Sequence, residues 1–187
     1  MDKRARRRDC FARVKALSAE EKAFRSRSIV EYLEVDETFR RARCVFAYVA
    51  LPSEPDLQEL FAGHPDKRWA YSLVSRGDIL KFHEVSLPDQ FLAGSFGFQE
   101  PDSTRCHEVP PEEADLILVP GVGFDPASGV RLGRGRGHYD RYLNGALKRK
   151  SDLETVGVCF SDQLSELLPE PHDVPMNRIV SERGWER

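Results

Sequence analysis

Apolar residues recur along this chain with two different periods, and the changes between them mark the elements. In residues 2–17, Ala5, Cys10, Phe11, Val14 and Leu17 fall at roughly helical spacing on a strongly basic background, which predicts a first helix. Ser18 followed by Glu21 has the form of a capping box, and Phe24, Val30 and Leu33 continue a helical stripe, so a second helix is expected to about Leu33. The period then shortens. Residues 44–49 form an apolar, β-branched and aromatic run that stops at Pro52, the pattern of a buried strand. Helix is expected over 56–61, and strands over 69–73 and 80–85 with a turn at Gly77 and Asp78. Residues 116–119 are wholly apolar and end in Pro-Gly, making them the clearest central strand. A loop to Gly137, a helix over about 138–150, and strands over 155–160 and 178–181 follow, while 86–114, rich in Pro, Gly and acidic residues, is expected to be irregular.

Strands alternating with helices indicate the α/β class: a layered domain with a mostly parallel central sheet flanked by helices. The 187 residues show no repeat and no compositional break, so residues 1–187 are expected to form a single domain. With 28 basic against 31 acidic side chains the net charge is -3, which argues against a non-specific nucleic-acid binder. Cys10, Cys44, Cys106 and Cys159 lie far apart with no Cys-x-x-Cys pair, as expected for unpaired thiols in a reducing compartment. No apolar stretch follows the basic N-terminus, and the longest nearly apolar run, 116–124, is broken by Pro120, Gly121 and Gly123. Neither a signal peptide nor a membrane span is expected, and the cytoplasm is the expected location.

Ligands of an open parallel sheet gather beyond the carboxyl ends of its strands, which puts the segment after Val119 on the ligand side. There the chain reads RLGRGRGHYDRYL over 131–143. Gly133, Gly135 and Gly137 let backbone N–H groups turn toward an anion, the next helix offers its positive dipole end, and Arg131, Arg134 and Arg136 can clamp phosphate in bidentate fashion. No Gly-Lys-Ser/Thr follows at P-loop spacing, and His138 stands where a dinucleotide fingerprint has its third glycine. The residues alone leave three readings open: a polyphosphate site, a solvated basic connector, or a short Arg-Gly segment contacting RNA.

The runs PGVGFD at 120–125 and GVRLGRGRGHYDRYL at 129–143 resemble the signature of the 5-formyltetrahydrofolate cyclo-ligases, also called methenyltetrahydrofolate synthetases. The resemblance extends over nearly the whole chain. Lys3 with Arg7 matches an N-terminal Lys-x-x-x-Arg, residues 48–54 match a strand and acidic turn, FGFQEP at 96–101 matches a Phe-Gly-Ile-x-Glu-Pro segment, and Gln163 and the PHD at 171–173 match near the C-terminus. It implies a fold shared with sugar-phosphate isomerases and CoA transferases, and conversion of 5-formyltetrahydrofolate to 5,10-methenyltetrahydrofolate with ATP split to ADP and phosphate in the presence of Mg2+. The formyl oxygen would attack the γ-phosphate to give an iminol phosphate, after which N10 closes on the activated carbon and phosphate leaves. A substrate that supplies its own nucleophile leaves the protein the tasks of alignment and charge stabilisation.

The same resemblance distributes the roles. ATP would be bound by Lys3, Arg4, Ala5, Arg6 and Arg7 and by Arg131, Leu132, Gly133, Arg134, Gly135, Arg136, Gly137, His138 and Tyr139, with Lys3, Arg134 and Arg136 catalytic. The folate would meet Arg7, Val49, Glu54, Arg134, Gly135, Arg136, Gly137 and His138, Glu54 accepting from the amino-pyrimidine edge of the pterin. Asp140 and Asp173 would hold magnesium. Taken without the family, Lys3 and Arg7 fit an exposed basic helix face, Glu54 a solvated turn, Val49 a buried strand and Asp140 a first-turn aspartate favoured by the helix dipole. His138 stands where many members carry tyrosine, so activity is expected to vary with pH between about 6 and 7.5 more than in a His138→Tyr variant. His64, His83, His107 and His172 lack metal-ligand spacing and read as surface or turn residues. The expected partners are the two small-molecule substrates, with no nucleic acid and no membrane, and the expected state is a monomer. Two other functions compete: a different enzyme on the same fold, which would need neither Lys3 nor the Arg-Gly loop for ATP, and an RNA-binding module, which predicts steep salt dependence without ATP turnover.

Overall fold

Helix α1 (Lys3–Lys15) begins at Asp2, whose carboxylate accepts from the Ala5 N–H at 2.7 Å, and it buries Cys10 and Val14. A computed structural model describes residues 2–75, 77–94 and 98–187 of the chain. Helix α2 (Ala19–Val35) carries the expected capping box, with Glu21 N–H donating to Ser18 Oγ at 3.1 Å and Ser18 N–H to Glu21 Oε2 at 2.8 Å. Its buried face is Ile29, Val30 and Leu33, whereas Phe24 is exposed and lies outside the expected stripe. Asp36 then caps a short unforeseen helix, α3 (Glu37–Arg41), by accepting from the Thr38 and Phe39 N–H groups, which anchors the fully buried Phe39. After strand β1 (Cys44–Ala47) comes α4 (Gln58–Gly63), two residues later than expected, because the Asp56 carboxylate takes the Gln58 N–H in a turn ahead of it. Strands β2 (Arg68–Ser75) and β3 (Ile79–Glu84) form the expected pair, antiparallel across a turn in which Gly77 and Asp78 both have positive φ.

The stretch 86–114 is less irregular than its composition suggests, since β4 (Phe91–Ala93) and β5 (Gln99–Pro101) pair as a separate two-stranded sheet. Phe96 and Gly97 of the FGFQEP run lie outside the described residues. Strand β6 (Leu116–Pro120) follows. The loop after it contains a two-stranded hairpin, β7 (Gly123–Phe124) with β8 (Arg131–Leu132), that strands of two residues could not announce in sequence. Helix α5 (His138–Arg149), β9 (Glu154–Val158), β10 (Arg178–Ser181) and β11 (Gly184–Trp185) complete the chain. The main sheet has the order β11-β10-β9-β6-β1-β2-β3, parallel from β10 to β2 and antiparallel only at its two edge pairs.

Alternation on the central strands divides the core into two layers. Val45, Ala47, Leu116 and Leu118 pack with α2, while Cys44, Phe46, Ile117 and Val119 pack with Leu143 and Ala146 of α5. Both faces of β1 and β6 are covered, which is why these strands read as unbroken apolar runs. The four cysteines are buried and unpaired, and burial pushes the Cys44 thiol up to about 11. Among the described residues, no helix is long and apolar enough to cross a membrane.

Candidate active site

Three neighbouring parallel strands, β1, β6 and β9, end on the same edge of the sheet, and the segments leaving them build the site. Beyond β6, the Phe124 ring is fully buried over Gly157 of β9, where a Cβ would lie 2.5 Å from its Cε1. Gln163, beyond β9, is buried and braces the same turn, its Nε2 donating to Gly121 O at 2.7 Å and its Oε1 accepting from Phe160 N–H at 2.8 Å. This gives the matched glutamine a structural task. Phe124 pairs with Arg131, so the brace fixes where the Arg-Gly loop begins. The loop ends at Gly137, which holds φ 67° as the N-cap of α5, and Gly135 holds φ 103°.

Lys3 and Arg7, one turn apart on α1, reach this loop from the other end of the chain. Arg7 Nε donates to Gly133 O at 2.8 Å, and Lys3 Nζ meets Asp173 Oδ1 and Oδ2 at 2.9 and 2.8 Å and Glu170 Oε2 at 3.0 Å. Burial lowers the Lys3 pKa, but the hydrogen bonds it donates to Asp173 and Glu170 together outweigh this and leave the ammonium held above its ordinary value. A cavity of about 360 Å³ lies between these groups, lined by Lys3, Arg7, Gly133, Gly135, Arg136, Gly137, Asp140 and Asp173 among others. Arg4, Ala5 and Arg6 are not on its wall; Arg4 is exposed and Arg6 Nη1 reaches Ser165 Oγ at 3.3 Å.

Arg131 is buried, its guanidinium 3.0 Å from Asp140 Oδ2 and 5.2 Å from the centre of the Tyr139 ring. Asp140 lines the same cavity, and its Oδ1 is buried with no hydrogen-bond partner among the described residues. A hard oxygen donor left free in a cavity that a second carboxylate, Asp173, also lines has the chemistry of a divalent-cation ligand. Glu170, His172 and Asp173 also present ligand atoms within 4.8 Å of one another, a grouping their sequence spacing did not disclose, but the Lys3 ammonium sits against both carboxylates.

Arg134 turns away from that cavity toward the segment leaving β1. Its Nη2 is 3.0 Å from Ser53 Oγ and 3.3 Å from Glu54 Oε1, and its guanidinium lies 5.3 Å from the centre of the Phe11 ring. Glu54 is not a solvated turn residue: its side chain is 7% exposed, Oε2 accepts from the Leu51 N–H at 3.0 Å, and burial raises its pKa against the opposing pull of that bond and of Arg134. Beside it, an apolar groove of about 310 Å³ is lined by Phe11, Leu51, Pro52 and Phe98, with Lys15, Lys22 and Arg134. Val49 packs partly buried against the core next to this segment. His138 lies 2.7 Å from Asp78 Oδ1, and burial raises the Tyr139 phenol. His83 corrects the expectation for the remaining histidines, being buried with Nδ1 2.9 Å from Cys106 O. Sequence reasoning missed Asp78, Glu170 and Arg141; only the Gly-Asp turn hinted at the first.

A basic cavity walled by glycine backbone at the carboxyl edge of parallel strands is the architecture of an α/β protein that receives a polyanion. Residues 1–182 match the family model of the 5-formyltetrahydrofolate cyclo-ligase family. A solved structure of the Aquifex aeolicus 5,10-methenyltetrahydrofolate synthetase superposes with a TM-score of 0.83 at 34% identity, covering 100% of this chain and 93% of that one. The corresponding synthetase from Mycoplasma pneumoniae, 23% identical, shares the fold with a TM-score of 0.78 over 97% of this chain and 99% of its own. Among curated relatives, the cyclo-ligase of Mycolicibacterium smegmatis is 39% identical over 95 residues, 50% of this chain and 47% of that protein, and the mouse cyclo-ligase is 23% identical over 96% of this chain and 93% of its own. The aligned stretch thus spans about half the length of the mycobacterial relative. The chain belongs to the 5-formyltetrahydrofolate cyclo-ligase family, a family of ligases.

Proposed function

We propose that this chain, acting as one domain, cyclises 5-formyltetrahydrofolate to 5,10-methenyltetrahydrofolate and splits ATP to ADP and phosphate. The observation that carries this reading is the position of Arg134, which extends from the glycine loop to Glu54 at 3.3 Å and so joins the cavity suited to a polyphosphate to a buried carboxylate suited to a pterin. Lys3, Arg7 and Arg136 line the first cavity and would hold and neutralise the phosphates, their N–H groups replacing solvent around the transferring phosphoryl. Glu54 would accept from the amino-pyrimidine edge and orient the ring so that its formyl oxygen faces the γ-phosphate. That oxygen attacks phosphorus as the bond to ADP breaks; N10 then bonds to the formyl carbon, loses its proton, and expels the oxygen as inorganic phosphate. Arg134, held in the glycine loop by its backbone and on Glu54 by its guanidinium, would neutralise charge on the folate side of the transfer.

Asp140, through its free Oδ1, and Asp173 would hold Mg2+, which supplies charge neutralisation on the phosphate oxygens when bound. The test is direct: the purified protein mixed with 5-formyltetrahydrofolate and Mg-ATP should produce the near-ultraviolet absorbance of the methenyl product with matching release of phosphate. No absorbance change at any pH would reject the reading.

A further inference from the structure

Asp78 stands outside every motif of the family signature, yet it makes the densest set of contacts to the loop. It sits in the β2–β3 turn at the edge of the sheet with φ 64°, and is the sole non-glycine with positive φ among the described residues. Its Oδ1 lies 3.2 Å from Arg136 Nη1 and 2.7 Å from His138 Nε2, the latter a close contact without hydrogen-bond alignment. Its backbone carbonyl accepts from Arg141 Nη2 at 3.3 Å, and Arg141 Nη1 in turn donates to Arg136 O at 2.6 Å. Three side chains from the end of the loop and the first turn of α5 thus converge on one residue. Among the described residues, Arg136 and His138 have no other carboxylate partner. His138 first and then Arg136 hold the Asp78 carboxyl below the usual carboxylate range.

The backbone so gathered is loose by composition. Gly135 and Gly137 each gain freedom when the loop is released, and the Arg7 bond anchors only the opposite end, at Gly133. Glycine would serve a φ of 64° in the turn better than aspartate does, so backbone geometry alone does not account for this side chain. Its negative charge is half exposed and shared between Arg136 and Arg141, with the His138 ring beside it, which limits its repulsion of a nearby phosphate.

We propose that Asp78 is a positioning residue of the nucleotide loop: by gathering Arg136, His138 and Arg141 it fixes residues 135–138 in the conformation that receives the polyphosphate, so that binding need not order them. This rests on the proposed reading of residues 131–139 as the ATP loop. Asp78→Gly deletes the carboxylate and suits the turn, and Asp78→Asn keeps the shape and tolerates positive φ. Loss of this preorganisation should raise the ATP KM of the glycine variant roughly fivefold to tenfold while kcat stays within about twofold, with a smaller rise for asparagine. In the ligand-free protein, amide hydrogen exchange should accelerate at 134–138 and stay parental in the sheet. A purely structural role would lower the melting temperature without separating KM from kcat. Parental ATP KM with parental exchange in both variants, or an ATP KM lower than parental, would overturn the proposal. Arg136→Ala separates the two levels: parental ATP kinetics there reject the loop reading itself, whereas an impaired Arg136→Ala beside a parental Asp78→Gly rejects only the role of Asp78.

Discussion

Replacing Asp140 by asparagine tests whether the buried Arg131–Asp140 pair is the keystone under the glycine loop. The two side chains are 4% and 14% exposed, with 3.0 Å between Nη2 and Oδ2. At an effective dielectric of about 20, unit charges at that separation attract by roughly 5–6 kcal/mol. Removing one charge also strands the other: among the described residues Arg131 has only the Pro120 carbonyl at 3.5 Å and the Tyr139 ring to turn to, and its Nε lacks a partner. Breaking such a pair typically costs about 3–5 kcal/mol, and an asparagine oxygen that still accepts from Nη2 brings this to about 2–3 kcal/mol.

Urea unfolding followed by far-ultraviolet circular dichroism measures the loss. With m near 2 kcal/mol/M for a chain of this size, the Asp140→Asn midpoint should fall by about 1–1.5 M. The paired replacement Arg131→Met with Asp140→Leu should recover most of it, to within about 1 kcal/mol of the parent, because it removes both desolvated charges together. A single variant within about 0.5 kcal/mol of the parent would refute the premise that Arg131 depends on Asp140, and a double variant as unstable as the single would refute the electrostatic account of it.

Glu54→Gln should alter the pH dependence of stability. Burial raises the folded-state pKa of Glu54, so the native chain keeps that proton to higher pH than the unfolded chain, and the parent loses stability as pH rises from the ordinary carboxylate value of 4.5 through the raised one. The glutamine variant escapes this loss, so its denaturation midpoint should gain on the parent between pH 4 and pH 8; a constant difference would contradict the assignment. Gly157→Ala drives a Cβ to 2.5 Å from Phe124 Cε1 and should cost about 1–3 kcal/mol in thermal melts, with a higher ATP KM because Phe124 pairs with Arg131. Lys3→Met leaves Asp173, 6% exposed, without its ammonium; it should cost about 1–2 kcal/mol of stability and lower kcat/KM for ATP roughly tenfold to a hundredfold, with Lys3→Arg restoring more stability than activity. ATP binding measured by calorimetry should weaken steeply when divalent cations are chelated, and binding indifferent to chelation would exclude Asp140 and Asp173 as a shared cation site.

The layers of the fold were legible because burial on both sides writes itself into the strands. Cys44 and Phe46 face one layer and Val45 and Ala47 the other, so β1 had to be apolar throughout, as did β6. Elements too short to show a period escaped notice: α3 betrayed itself only through its Asp36 cap, and the hairpins at 91–101 and 123–132 have strands of two or three residues. Phe24 is exposed because it lies about two and a half turns before Leu33, on the opposite face of α2 from the buried stripe of Ile29, Val30 and Leu33. At the site the basic groups were visible as a cluster in the chain, with Lys3 and Arg7 added by the family resemblance. Of their acidic partners, Glu54, Asp140 and Asp173 came with the same resemblance, whereas Asp78 and Glu170 were not visible, because they come from turns far away in sequence and meet the bases only in the folded chain.

That pairing also explains how so basic a loop belongs to a chain of net charge -3. Lys3 rests on Asp173, Arg131 on Asp140, Arg134 on Glu54 and Arg136 on Asp78, so the site without ligand is close to neutral. A nucleic-acid backbone releases its diffuse counterions when basic groups bind its phosphates, and drawing these arginines away would leave several carboxylates facing its charge. A nucleotide carrying a divalent cation can take up both halves of each pair, the phosphates meeting the bases and the metal meeting carboxylate oxygens such as the free Oδ1 of Asp140. On the proposed function, selectivity for metal-bound nucleotide over RNA would therefore reside in the acidic partners as much as in the arginines, and the two kinds of residue have to be read together for the chemistry of the loop to emerge.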